Sequence, residues 1–508
     1  MRTIWLSLQI FFVSLMLPSL AHAEGIDTKI DNAVKPLADT LANIIFYEFP
    51  GTDIKLVVCW LIFGAAFFTI YLNFINVRGF KHAIDIVRGR YDDPEHAGEI
   101  SHFQALTAAV SGTVGIGNIA MVAVMVSMGG PGAIFWLIVA GLLGMTTKFV
   151  ECTLGVKYRK INPDGTVSGG PMYYLNAGLA KRGWSKLGKF LGLFYAVSIV
   201  IACLGIGNMV QSNQAFAQLA EVTGGSSGIL GNKGWLVGLV MAVMVAVIII
   251  GGIRSIARIT AKLVPFMVLI YLAGAFVVLA MNFAQIPAAI GAIITGAFTA
   301  KGVTGGVLGI MILGFQRAAF SNEAGLGSAA IAHSAVQTDE PLTEGFVALL
   351  EPFIDTVVVC TLTGLVLITT FPTEYLMSGD LEGIALTSAA FADKMPWAPV
   401  PLSIIAVLFA FSTMLAWAYY GTKGWTYIFG ESKNKALVFS LIFCFFIVVG
   451  AAVKLESILK FADALIFVMA IPNIIGLYIM APEVKQDLKE YWARVDAAKP
   501  TSISTEAV

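Results

Sequence analysis

Eleven apolar segments run through this chain, and two of them are interrupted by glycine-rich polar strings. The segments read as 54–76, 103–128, 132–156, 190–220, 235–253, 258–282, 304–333, 343–371, 397–420, 435–453 and 457–481. Several exceed the roughly 20 residues that a helix needs to cross hydrocarbon. The first interruption is Ser111-Gly112-Thr113-Val114-Gly115-Ile116-Gly117-Asn118, and the second is Phe320-Ser321-Asn322-Glu323-Ala324-Gly325-Leu326-Gly327. A backbone group opened in hydrocarbon costs several kcal/mol, so such strings are tolerated only where the freed N–H and C=O groups line a polar cavity. Interrupted helices at matching points of two successive halves point to a solute site at mid-bilayer.

Composition agrees with a polytopic α-helical membrane protein. The 508 residues are 57% hydrophobic and 13% charged, where soluble domains carry about 25% charged residues. Net charge is zero, which supports no argument for a nucleic-acid partner. Cys59, Cys152, Cys203, Cys360 and Cys444 fall inside apolar segments without a CxxC pair and read as small buried hydrophobes. Arg2, the apolar stretch Ile4–Leu17 and Ala21-His22-Ala23 have the layout of a cleaved signal over 1–23, the alternative being an uncleaved first helix. Residues 24–53 then form an extracytoplasmic lead-in.

Cleavage places the mature N-terminus outside and the C-terminus in the cytoplasm. The connections this orientation assigns to the cytoplasm hold twenty-one basic residues against seven outside, as the positive-inside rule requires. Segment 54–102 reads as an accessory helix with its cytoplasmic connection. The other ten spans divide into five-helix repeats over 103–282 and 283–481, and 482–508 is a cytoplasmic tail. Five is odd, so the second repeat enters the membrane from the opposite side. An interrupted helix opens each repeat, and a pseudo-two-fold axis in the membrane plane brings both interruptions to the bilayer centre.

Gly112, Gly115 and Gly117 let the backbone leave helical dihedrals without a Cβ penalty. The amides of Gly115, Ile116 and Gly117, next to Thr113, then lie at the N-terminus of a half-helix, which suits a carboxylate. The carbonyls from Val110 to Val114 end the preceding half-helix and suit Na⁺. In the second interruption Phe320 precedes Ser321 and Asn322, whose side chains suit either end of a small zwitterion. Small-residue spacing also serves plain helix packing, but Ser111, Thr113, Asn118, Ser321, Asn322 and Glu323 exceed what packing needs. Charged residues inside spans carry a functional presumption: Arg317, Glu323, Glu351, Asp355 and Asp463 stand open between structural ties and a coupling role. Lys148 and Glu151, at i and i+3, are expected to pair with each other. Gln211-Ser212-Asn213-Gln214 is a dense polar patch with one or two members facing the cavity. Ser412-Thr413 alone is a weak signal, because hydroxyls bond back to their own helix. The five histidines lie in the signal or near span ends, and no metalloprotease, nucleophile-elbow or nucleotide-binding motif is present. An enzyme is not indicated, and ten core spans with internal inversion argue against a channel. Uphill transport without a nucleotide site draws on an ion gradient.

Gly129-Gly130-Pro131-Gly132-Ala133-Ile134-Phe135-Trp136, Lys148-Phe149-Val150-Glu151, Ser168-Gly169-Gly170-Pro171-Met172-Tyr173-Tyr174, Phe320 through Ala329, and Leu350-Glu351-Pro352-Phe353-Ile354-Asp355-Thr356 resemble the alanine or glycine:cation symporter family from about Thr52 to Pro482. The resemblance implies an all-α LeuT-type 5+5 inverted repeat with one extra N-terminal helix, in the bacterial inner membrane. It implies sodium-coupled symport of alanine or glycine by alternating access, with no obligate protein partner. The resemblance implies substrate contacts from Ile116, Gly117 and Gln211, and with the residues of the two strings the expected substrate-binding set is Thr113, Gly115, Ile116, Gly117, Gln211, Phe320, Ser321 and Asn322. The implied sodium ligands are Ser111 and Val114, through carbonyls, with Ser412 and Thr413. No cofactor is implied beyond the coupling ion, Na⁺ with H⁺ as its rival. The family usually has threonine at Ile116, and its WSYYGE string reads Trp417-Ala418-Tyr419-Tyr420-Gly421-Thr422 here.

Overall fold

A computed structural model describes residues 36–497, apart from 37–38, 41, 51–53, 92–95 and 300–305. The expected signal over 1–23, the start of the lead-in and residues 498–508 lie outside the described residues. The described chain is almost wholly helical, with one short antiparallel pair joining Lys160–Ile161 to Val167–Ser168. Among the described residues seven helices are long and apolar enough to cross a membrane, or eight with the pair bent by 49° counted as one span.

In chain order the first helices are α1 (Leu56–Tyr71), α2 (His102–Thr113), α3 (Val122–Gly129) and α4 (Gly132–Lys157). They are followed by α5 (Pro171–Lys181), α6 (Ser185–Leu204), α7 (Val210–Val222), α8 (Gly234–Ile249) and α9 (Gly252–Met281). The second part holds α10 (Ile286–Ala297), α11 (Gly306–Asn322), α12 (Ala329–His333), α13 (Pro341–Pro352) and α14 (Thr361–Thr370). It ends with α15 (Ile384–Lys394), α16 (Pro399–Phe429), α17 (Lys433–Ala452) and α18 (Leu455–Ala497).

Local chemistry sets several of these boundaries. Ser101 Oγ accepts from the Gln104 amide at 3.3 Å while Gln104 Oε1 accepts from the Ser101 amide at 3.1 Å, a capping box that starts α2. Pro171, Pro341 and Pro399 each stand first in their helix, where the missing N–H costs nothing. Three π-helical turns interrupt the long helices, at Gly117–Met121, Gly205–Met209 and Phe353–Cys360. Each adds a residue to the turn, a feature often found at functional sites.

The structure departs from the expected layout in three ways. The connections around 157–189, 283–303 and 372–396 contain the short helices α5, α10 and α15. Helix α18 runs through Pro482 to Ala497 rather than ending at 481, because Val484, Leu488 and Tyr491 prolong its buried face. Lys148 does not pair with Glu151. Its Nζ meets Glu351 Oε1 at 3.0 Å, and both side chains are fully buried. Glu151 instead accepts from the Gly327 amide at 3.0 Å and from Asn473 Nδ2 at 2.7 Å. The two residues project toward different neighbours, α13 and the second interruption, and each finds a partner there.

Removing one member of a buried ion pair leaves the other uncompensated. Lys148→Met is expected to cost roughly 3–5 kcal/mol, read as a lowered unfolding midpoint in detergent. Adding Glu351→Gln to that variant is expected to recover part of the loss.

Candidate functional site

Helix α2 ends where Val114 turns extended, at φ −77° and ψ 92°. Helical bonding resumes with Asn118 N donating to Gly115 O at 3.2 Å and Ala120 N to Ile116 O at 2.7 Å. Around this break the approach of neighbours is close and uneven. A Cβ on Gly115 would stand 2.3 Å from Thr413 Oγ1 and 3.2 Å from Gln211 Oε1, so only hydrogen fits there. A Cβ on Gly117 would meet nothing within 4 Å, so the backbone there faces open room.

Two of the amides expected to be available hold side-chain oxygens. The Gly115 amide donates to Asn118 Oδ1 at 2.8 Å, and the Ile116 amide donates to Gln211 Oε1 at 3.3 Å. Gln211 Nε2 is anchored on Ile206 O at 3.1 Å. Ile206 belongs to Gly205-Ile206-Gly207-Asn208, a second copy of the Gly115–Asn118 string, and this copy also enters a π turn. A Cβ on Gly207 would lie 2.4 Å from Trp417 Cβ. The Trp417 indole donates to Gly112 O at 3.3 Å and so closes over the first break.

The second break lies between α11 and α12. Glu323, Gly325 and Gly327 take φ of 59°, 88° and 80°, which opens a loop in place of a helical turn. Its polar groups are taken up by neighbouring helices. Leu326 O accepts from Tyr195 OH at 2.8 Å, Gly325 O accepts from Asn473 Nδ2 at 2.8 Å, and Ser328 Oγ donates to the Glu323 carboxylate. Asn322 Oδ1 caps the Ala324 amide at 3.0 Å while its Nδ2 donates to Thr356 Oγ1 at 2.9 Å. A Cβ on Gly325 would reach within 2.5 Å of Leu61 of α1, so the helix outside the expected repeats covers this break.

Asp355 joins the two breaks. One carboxylate oxygen accepts from Asn118 Nδ2 at 2.5 Å, and the other accepts from Ser321 Oγ at 2.8 Å and Thr356 Oγ1 at 2.6 Å. Asn118 Nδ2 also lies 3.3 Å from Ser321 Oγ, and Cys360 Sγ stands 3.2 Å from that nitrogen and 3.3 Å from Ser321 Oγ. All five residues are buried, none more than 4% exposed. No ion pair to Asp355 is found among the described residues.

On the other side of the first break stands α16. Ser111 Oγ donates to Ser412 O at 3.0 Å, which brings two of the expected sodium ligands together. Ser412 Oγ bonds its own helix at Phe409 O, 2.9 Å away. Thr413 Oγ1, fully buried beside Gly115, has no hydrogen-bond partner among the described residues. Two other expected side chains have partners of their own. Thr113 Oγ1 bonds back to Val110 O at 3.3 Å, and the Phe320 ring lies 5.8 Å from the Arg317 guanidinium. Arg317 is tied to Asp463 of α18 at 3.1 Å. One turn beyond Gln211, a cavity of about 440 Å³ is lined by Asn213, Gln214, Glu382, Ile384 and Lys454, among others.

Asn118, Asp355, Thr356 and Cys360 converge on the breaks without having been expected among the binding residues. Asn118 closed the first string and Asp355 was already marked as an intramembrane charge. What no linear pattern supplies is that the π turn at Phe353–Cys360 aims Asp355, Thr356 and Cys360 at both breaks.

The fold matches that of MhsT, solved in complex with L-phenylalanine, with a TM-score of 0.54 at 15% identity over 73% of this chain and 87% of that one. The sodium/alanine symporter AgcS of Methanococcus maripaludis is 40% identical over 84% of this chain and 91% of its own length. The probable sodium/glutamine symporter GlnT of Bacillus subtilis is 32% identical over 88% and 89%. The putative sodium/proton-dependent alanine carrier YrbD of the same organism is 31% identical over 85% and 89%. The sodium:alanine symporter family itself matches residues 39–505. With broken helices, a LeuT-like fold and relatives aligned along most of its length, this multi-pass membrane protein belongs to the sodium:alanine symporter family, a family of transporters and not of enzymes.

Proposed function

We propose that the protein imports a small neutral amino acid, alanine or glycine, together with Na⁺ by alternating access across the bacterial inner membrane. Eleven spans, with α1 as the extra N-terminal helix, the mature N-terminus outside and the C-terminus in the cytoplasm, complete this reading. The observation that carries it is the convergence of both helix breaks on one buried carboxylate, Asp355, beside backbone amides of the opposite polarity. Such a site offers a donor set for a carboxylate and an acceptor set for cations within one enclosure.

In this reading the substrate carboxylate competes with Gln211 Oε1 for the Ile116 amide and reaches the Gly117 amide, at the positive end of the half-helix. Gln211 stays as a neighbour. Ser321 and Asn322, with Thr113 and Phe320, bound the other side. Na⁺ takes the Ser111 and Val114 carbonyls with the hydroxyls of Ser412 and Thr413. The unpartnered Thr413 Oγ1 supports that assignment, since a buried hydroxyl without a partner is costly unless a ligand satisfies it. Asp355 supplies negative charge facing the substrate ammonium and the ion. The contact of Gly115 with Thr413 and Gln211 supports selection for small side chains, because little space remains on that side of the break.

Three measurements test this. Alanine uptake into proteoliposomes is expected to require an inward Na⁺ gradient, and uptake undiminished in Na⁺-free buffer at constant pH would assign the coupling to H⁺ instead. Ser412→Ala and Thr413→Ala are expected to lower Na⁺ affinity about tenfold each, the factor that corresponds to 1.4 kcal/mol, with the unfolding midpoint preserved. Gly117→Ala is expected to fold normally and weaken alanine binding more than glycine binding, whereas Gly115→Ala is expected to abolish Na⁺-dependent binding of both.

A further inference from the structure

Far from the breaks, a second cluster of buried polar groups ties the other ends of the same two half-helices. His102 is the first residue of α2, and His333 is the last residue of α12. Each places its Nδ1 at 2.5 Å from a different oxygen of one carboxylate, Glu344 of α13. All three side chains are at most 1% exposed. At each break, therefore, Asp355 holds one side, through Asn118 after α2 and Ser321 before α12, while Glu344 holds the far end of the half-helix on the other side, through His102 of α2 and His333 of α12. The two carboxylates belong to a single candidate span, Pro341–Thr370. Eleven residues separate them, or about 16 Å at the rise of a helix.

A second layer lies just beyond. The Glu99 amide donates to Ala335 O at 2.7 Å and the Gln337 amide to Ile100 O at 2.8 Å, so the chain entering α2 lies parallel to the chain leaving α12. Arg159, two residues past α4, binds both strands at once. Its Nη1 donates to Ser334 O at 3.0 Å and Val336 O at 2.5 Å, and its Nη2 donates to Ala97 O and Thr338 O, each at 2.7 Å. Only a planar guanidinium presents donors in a fork that spans four carbonyls, and a lysine cannot reproduce it. Glu99 is tethered in turn, its Oε1 accepting from the Val167 amide at 2.9 Å.

We infer that Glu344 and Arg159 are the positioning residues that hold the permeation path shut at the end opposite the Arg317–Asp463 pair. This inference rests on the transport reading above. Both layers are directional polar contacts. Water replaces such contacts at small net cost when they part, since a hydrogen bond contributes only about 1 kcal/mol net, whereas parting an apolar seal exposes surface. Release of solute toward this face requires α2 or α12 to leave Glu344 and the paired strands to leave Arg159.

Cys360, buried beside Asp355 at the breaks, serves as a native reporter of access through the closed end of the path. The test follows its modification by a membrane-impermeant thiol reagent, using peptide mass mapping, in inside-out and right-side-out vesicles. Asp164→Cys, on the exposed loop after Arg159, marks which face the reagent meets. Arg159→Lys and Glu344→Gln are each expected to raise Cys360 labelling from the Asp164 face at least about tenfold, the factor set by one or two lost hydrogen bonds to a charged group. Na⁺-dependent alanine binding is expected to stay within twofold of the unmodified chain. Labelling unchanged in both variants, or raised equally from both faces, would overturn the assignment. Absence of alanine binding in the unmodified chain would count against the transport reading alone, because the labelling needs no substrate.

Discussion

The architecture depends on one requirement: polar backbone opened inside an apolar medium has to be satisfied by the protein itself. Every other feature near the bilayer centre answers it. Tyr195, Asn473 and Glu151 absorb the carbonyls and amides of the second break, while Asn118, Gln211 and Trp417 do the same for the first. These partners come from six different helical elements, so neither break is stable unless the whole bundle is assembled. The buried charges follow the same logic. Lys148 and Glu351, Arg317 and Asp463, and Glu344 with its two imidazoles are each matched inside the protein. Asp355 differs, since hydroxyl and amide donors surround it and no cation among the described residues does.

Much of this was legible in the chain before any coordinates. Apolar length and the two glycine-rich strings located the broken helices, and the polar residues Asn118 and Ser321 inside those strings are the ones that meet Asp355. The GIGN string marked the first break to within a residue or two, because a Cβ at Gly115 would stand 2.3 Å from Thr413 Oγ1. Ser111 and Ser412, more than three hundred positions apart, do meet.

Other relations were hidden for identifiable reasons. Proximity along a helix suggested that Lys148 and Glu151 pair, but residues three apart on a buried helix choose among partners on several neighbours, and tertiary contacts win. The last span was expected to end at 481, yet Pro482 interrupts only one bond of a helix whose buried face continues to Tyr491. His102 and His333 were placed near span ends, which is where they lie. Their shared carboxylate was invisible because Glu344 stands more than two hundred residues from one of them, at the very start of its apolar segment.

The π turns at Gly117–Met121, Gly205–Met209 and Phe353–Cys360 carry one further consequence. Each stores a surplus residue in an otherwise regular rod. Excising a single amino acid from any of them would restore ordinary winding and redirect the side chains in and beside the turn. Asn118, Gln211 or Asp355 would then face a different neighbour, although hydropathy along the chain would barely change. Length at these three places is therefore under tighter constraint than composition, and a one-residue gap there alters function more than many substitutions.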